Sequence, residues 1–120
     1  MELDVAVRTD RDVSVVSVAG EVDLYTAPRL EEALSRAASG TPPLVVVNLA
    51  QTTYLDSTAL RVLTTALRQV RERDGEIAVI STQPKITKLF SITGLDQLFP
   101  LCATEDEALA RVRGRAPHQP

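Results

Sequence analysis

The sequence predicts an α/β domain in which five strand-like segments alternate with four helix-like ones, in the order β-β-α-β-α-β-α-β-α. Three observations predict it. Two valine-rich segments separated by the polar turn Asp10-Arg11-Asp12 open the chain and pair naturally as a hairpin. The nearly continuous apolar run Leu44–Val47, followed by Leu49, has the pattern of a strand covered on both faces. After the hairpin, each strand-like segment is followed by one of helical period, which implies mainly parallel connections with right-handed crossovers.

Leu3, Val5 and Val7 alternate with polar residues, as in a half-buried strand. Val13, Val15 and Val18 form a second strand of imperfect period that ends at Gly20. Thr26 is placed to cap a helix with Pro28 in its first turn, and Leu30, Ala33, Leu34 and Ala37 line one side of it. Gly40, Pro42 and Pro43 stop that helix before the third strand. A second helix starts at Asp56-Ser57-Thr58, with Leu60, Leu63, Leu67 and Val70 as its buried stripe. Arg61, Arg68, Arg71 and Arg73 lie mostly off the stripe and read as a solvated face. Asp74-Gly75 turns into a fourth strand, Ile77–Ile80. Pro84 opens a third helix with Ile86, Leu89 and Phe90 inward and Gly94 as its left-handed stop. Leu98–Cys102 reads as a short fifth strand, and Thr104 with Glu107 as the capping box of a last helix carrying Ala108, Leu109 and Val112. The expected division is one domain over residues 1–113 and a disordered polar tail over 114–120.

Composition narrows the function classes. At 120 residues the chain is long enough for one core without disulfides or metal. Only 3% of residues are aromatic, so the core is built from Val, Leu, Ile and Ala. The formal net charge of -3 and the missing aromatic platform argue against a direct nucleic-acid binder. A single cysteine, Cys102, rules out an intrachain disulfide and reads as a small buried hydrophobe. No signal-peptide pattern and no apolar run of bilayer length are present, so the expectation is a cytoplasmic protein with no membrane segment.

Two junctions could carry chemistry. In Tyr54-Leu55-Asp56-Ser57-Thr58-Ala59-Leu60 an amphipathic helix begins, and a helix N-terminus offers unpaired N–H groups to an anion. A phosphate on Ser57 would be accommodated there. Asp-Ser-Thr is equally ordinary capping chemistry. The second junction is Gly20-Glu21-Val22-Asp23 followed by Thr26-Ala27-Pro28, where strand-end and helix-start punctuation also suffices. The only histidine, His118, sits in the tail, so neither a His/Cys metal cluster nor a Ser-His-Asp hydrolase is supported. No Gly-rich phosphate loop is present, and no cofactor is expected.

Three segments together resemble the STAS domain family, in its anti-sigma factor antagonist branch. They are Gly20–Pro28, Leu55–Leu60, and Pro84–Leu101 with its Thr93-Gly94-Leu95-Asp96 core. The resemblance runs from about Leu3 to Val112. It implies a mixed, mostly parallel sheet of four to five strands, with about four helices packed mainly on one side. It also implies a bacterial, cytoplasmic regulator of sigma-factor-dependent transcription that is not an enzyme and acts by partner switching. Its partners would be an anti-sigma factor serine kinase with a histidine-kinase-like ATP fold and a PP2C-type serine phosphatase, with the protein itself a monomer or weak dimer.

By the same resemblance Ser57 is the phosphorylation site, with Thr58 as the rival acceptor. Asp23 and Asp56 help hold the hydroxyl and the kinase contact, and Thr58, Ala59, Leu60 and Arg61 complete the partner-binding face. Two positions depart from the family pattern. Ala59 stands where the family usually has Gly, which favours the helix by about 1 kcal/mol and narrows partner choice if a partner backbone approaches there. Asn48 stands where many relatives carry Asp, and reads as structural. The competing reading is a STAS scaffold subunit of a stressosome-like or lipid-transport complex without this phosphorylation cycle.

Overall fold

Val15 and Val16 are neighbours in sequence, yet both are fully buried. Adjacent strand residues point to opposite faces, so this strand is covered on both sides. That explains the imperfect period of the second segment. The computed structural model of the chain describes residues 3–115, with side chains to residue 114. The strands are β1 (Leu3–Asp10), β2 (Val13–Val22), β3 (Leu44–Leu55), β4 (Glu76–Ile80) and β5 (Leu101–Cys102). The helices are α1 (Ala27–Ala37), α2 (Ser57–Glu72), α3 (Pro84–Thr93) and α4 (Glu105–Arg115), and the order is the one predicted.

The five strands lie in the spatial order β1-β2-β3-β4-β5, which the sequence pattern left open. β1 runs antiparallel to β2, and every later pairing is parallel. Helices α1, α2 and α3 cover one face, packing on Val16, Val18, Val45, Val47, Ile77 and Val79. On the other face α4 sets Ala108, Leu109 and Val112 against Val13, Val15, Val46, Ala78 and Ile80. Three helices on one side and one on the other agree with the predicted layering. Cys102 is buried in the second cluster, as expected of a small hydrophobe.

Several boundaries move for physical reasons. β2 does not end at Gly20 but continues to Val22, and β3 does not end near Leu49 but continues to Leu55. The extensions pair with each other through register shifts between Ser17 and Ala19 and between Gly20 and Glu21. Asn48 Oδ1 accepts from the Ala50 N–H at 2.9 Å beside this irregularity, in keeping with a structural role. Thr52 is fully buried there, and its hydroxyl donates to the Val18 carbonyl at 2.9 Å. β5 shrinks to Leu101–Cys102, because Leu95–Gln97 forms a 3-10 turn and leaves Leu98 42% exposed. Phe90 and Phe99 meet edge to face with centroids 5.8 Å apart, fastening α3 to that turn.

The helix ends also differ from expectation in detail. Thr26 occupies the N-cap position of α1, but its side chain makes no cap bond. Around α4, Thr104 Oγ1 accepts from the Glu107 N–H at 3.2 Å as predicted. Glu107 reaches past the cap residue to the Ala103 N–H at 2.8 Å, one residue beyond the expected box. The buried stripe of α2 is Ala59, Leu63, Ala66, Leu67 and Val70, while Leu60 is only half-buried. Two of the arginines are fastened to backbone. Arg73 donates to the carbonyls of Ala38 at 2.6 Å and Gly40 at 3.0 Å, and Arg71 to that of Leu98 at 2.8 Å. α4 continues to Arg115, beyond the predicted boundary at residue 113, and residues 116–120, with His118, lie outside the described residues.

Gly94 has φ +78° and closes α3 as predicted. Gly75 is constrained by space instead. A Cβ there would sit 2.0 Å from the Pro43 carbonyl oxygen, which also accepts the Glu76 N–H at 3.0 Å. Backbone must therefore move to admit a methyl at Gly75, whereas nothing lies within 4 Å at Gly94. Gly94→Ala should cost about 1–2 kcal/mol through its left-handed backbone. Gly75→Ala should cost more, about 3 kcal/mol. Urea unfolding midpoints of the two variants check this order, and the reverse order would contradict it.

Candidate functional site

The parallel ladder sets Val22 opposite Leu55 at the ends of β2 and β3. The next residues are Asp23 and Asp56. The Asp56 N–H donates to the Val22 carbonyl at 3.1 Å, so the two acidic residues leave the sheet side by side. Each then does a local structural job. Asp56 is the N-cap of α2 in extended conformation, with Oδ1 accepting from the Ala59 N–H at 2.9 Å. Its carbonyl accepts the Leu60 N–H at 3.1 Å.

Asp23 closes the turn into α1. Its Oδ1 accepts from the N–H groups of Tyr25 at 2.9 Å and Thr26 at 3.0 Å. Thr26 Oγ1 accepts from the Asp23 N–H at 2.9 Å and lies 3.1 Å from both Asp23 Oδ1 and the Glu21 carbonyl. The backbone N–H of Thr26 is the chief cause holding the Asp23 carboxyl below the ordinary carboxylate range. Desolvation, next in size, opposes it, and the Thr26 hydroxyl and the Tyr25 N–H add to the lowering. The role of Thr26 as the partner of Asp23 was not read from the sequence. The signal for it was the Asp-x-x-Thr spacing, which favours a side-chain-closed turn.

Ser57 is the first residue of α2 and is exposed. Its hydroxyl makes no hydrogen bond among the described residues. First-turn N–H groups lack intrahelical partners. Those of Ala59 and Leu60 are taken up by Asp56, so the helix start keeps the N–H groups of Ser57 and Thr58 for an anion. Thr58 is half-buried, less accessible than Ser57, and Arg61 is exposed one turn further along. Ala59 is different. It has no exposed surface and belongs to the core, so its methyl packs inward and is not part of the exposed face expected of it.

Among the described residues, no cluster of His, Cys, Asp and Glu is suited to a metal ion. No helix among them is long and apolar enough to cross a membrane.

The STAS domain pattern matches residues 4–108, and the chain belongs to the STAS domain family. Its relatives in that family include regulators of sigma factors. Over 98 residues the chain is 34% identical to the anti-sigma-B factor antagonist of Listeria monocytogenes, covering 82% of this chain and 86% of that one. The crystal structure of an anti-sigma factor antagonist from Mycobacterium paratuberculosis matches with a TM-score of 0.85 at 36% identity, covering 93% of this chain and 95% of that one. The fold is shared with the Bacillus cell fate determinant SpoIIAA in its phosphorylated form, with a TM-score of 0.68 at 23% identity over 93% of this chain and 100% of that one.

The roles of the two carboxylates lead to two expected outcomes. Because the folded-state value of Asp23 is lowered, its stabilisation of the turn is present above the ordinary carboxylate range and is lost as pH falls through that lowered value. An NMR titration of the Asp23 carboxyl carbon should move together with the amide shifts of Tyr25 and Thr26. Asp56→Ala should destabilise the protein by about 1 kcal/mol through loss of the cap, and Asp56→Asn by much less. Equal losses in thermal unfolding would argue against a capping role.

Proposed function

We propose that this chain acts as an anti-sigma factor antagonist through a docking surface gated by phosphorylation of Ser57. Antagonism of an anti-sigma factor is the role of relatives that match most of its length. The finer reading concerns the partners. The unmodified protein binds an anti-sigma factor that is also a serine kinase with a histidine-kinase-like ATP fold, and so frees the sigma factor. Transfer of a phosphoryl group from ATP to the Ser57 hydroxyl ends that complex, and a PP2C-type phosphatase restores the serine.

The observation that carries this reading is the state of Ser57: an exposed hydroxyl without a hydrogen-bond partner among the described residues, at the first position of α2, beside two carboxylates that the fold holds in place. Phosphorylation adds about -1.5 to -2 charges at neutral pH. The helix terminus tolerates the anion, so the fold need not change. A partner surface complementary to a neutral serine and two carboxylates meets added negative charge instead. A pocket fitted to the bare hydroxyl has neither the room nor the donors for that dianion, and burying a charge without full pairing costs several kcal/mol. A penalty of about 3 kcal/mol corresponds to roughly 100-fold in affinity. Ser57 is preferred to Thr58 because it is the more exposed of the two hydroxyls.

The test is incubation with ATP and the anti-sigma kinases of the same genome, with mass-spectrometric site mapping and a binding measurement. One phosphate on Ser57, absent from Ser57→Ala and coupled to loss of binding, is the expected result. Ser57→Ala should bind and resist release by ATP, and Ser57→Asp should bind poorly. Equal affinities of these two variants would sink the proposal.

A further inference from the structure

The four aromatic residues divide cleanly. Phe90 and Phe99 are buried, while Tyr25 is 86% exposed and Tyr54 44% exposed. Leu24, beside Tyr25, is 61% exposed. Single exposed apolar residues need no explanation. These three are grouped at one end of the sheet. Leu24 and Tyr25 form the turn after β2, and Tyr54 precedes the last residue of β3, opposite Glu21. That is the end at which Asp56 is bonded to Val22 and α2 begins with Ser57.

The backbone under Leu24 and Tyr25 is not slack. The N–H groups of Tyr25 and Thr26 both donate to Asp23 Oδ1, and the Ala27 N–H donates to the Asp23 carbonyl at 2.8 Å. A tyrosine on an ordered turn loses little freedom on binding, since only two side-chain angles remain to be fixed. Their place on a held turn beside fixed carboxylates distinguishes this pair from Val7, Ile92 and Leu98, the exposed apolar residues outside this group.

We propose that Leu24 and Tyr25 form an apolar docking knob that seats in an apolar pocket of the anti-sigma factor partner, rimmed by a basic group facing Asp23 and Asp56. The proposal rests on the reading of Ser57 as the switch and adds a division of labour to it. The knob supplies affinity, and Ser57 supplies release. Asp23 is a positioning residue here: its carboxylate presents the knob while contributing charge to the rim. Large apolar and aromatic anchors in a desolvated pocket dominate interface energetics, with surrounding polar contacts contributing less.

The experiment is calorimetric binding of the full chain to the anti-sigma kinase, comparing wild type, Leu24→Ala, Tyr25→Ala, Tyr25→Phe and Leu98→Ala, each unmodified and phosphorylated. Leu24→Ala and Tyr25→Ala should each weaken binding of the unmodified protein by roughly 30-fold. Tyr25→Phe and Leu98→Ala should bind as wild type does. Melting temperatures of the Leu24 and Tyr25 variants should be unchanged, because these side chains are mostly exposed. For every variant, the ratio of phosphorylated to unmodified affinity should match that of wild type.

Asp23→Ala should weaken binding as the knob variants do. Asp23→Asn, which keeps the Oδ1 acceptor, should recover most of the loss. If phosphorylation still releases the partner but Leu24→Ala and Tyr25→Ala bind normally, the knob is wrong and the switch stands. If the wild type forms dimers in sedimentation that Tyr25→Ala abolishes, the patch is a self-association face and the proposal falls. If the wild type binds no anti-sigma kinase, the switch and the knob fall together.

Discussion

The parallel pairing of β2 with β3 is the constraint on which the candidate site depends. A crossover through α1 returns the chain in the same direction, so both strands finish at the same end of the sheet. Two register shifts lengthen this pairing beyond its valine-rich half, and the buried Thr52 hydroxyl supports it there through the Val18 carbonyl. The ladder ends with Val22 beside Leu55, and the Asp56 N–H to Val22 carbonyl bond closes it. The strand ends thereby place both halves of the site: the Asp23 turn continues directly from β2, and the start of α2 continues directly from β3.

The charge at this end is held in place before any partner arrives. Asp23 and Asp56 are each engaged by backbone N–H groups, one in a turn and one in a cap. Preorganised groups of this kind spare a complex the cost of ordering them. Under the proposed phosphorylation of Ser57, the same bonds would keep the carboxylates from swinging away. The proposed switch is thus a change of charge on a surface whose shape is already set.

How much of this was legible in the sequence depends on the kind of force that specifies each part. Strands buried on both faces announce themselves by dense Val and Ile, so Leu44–Val47 and Ile77–Ile80 were readable. The second half of β3, Ala50–Leu55, was not, because its polar residues are held by strand pairing and by one buried hydroxyl rather than by an apolar period. Leu98–Cys102 failed in the opposite direction. Its apolar residues serve a turn, a Phe–Phe contact and only two residues of strand. At the site, Asp56 and Ser57 were legible as a cap and an exposed hydroxyl at a helix start. The bond from Asp23 to Thr26 had a signal in the Asp-x-x-Thr spacing that was not used, whereas the burial of Ala59 depends on how the helix is rotated against the sheet, which no short motif encodes.

Helix α4 stands alone on its face of the sheet. It covers Val13, Val15, Val46, Ala78 and Ile80, and Arg113 grips the hairpin tip through the Asp10 carbonyl at 2.8 Å and Asp12 at 3.2 Å. Arg8 pairs with Glu105 at the other end of the same helix. These contacts join segments made first to a segment made late. During synthesis, at about 5–20 residues per second, the valines of β2 emerge seconds before the side chains that cover them. Until α4 has been made, the valines on this face of the sheet have no helix of their own chain to cover them.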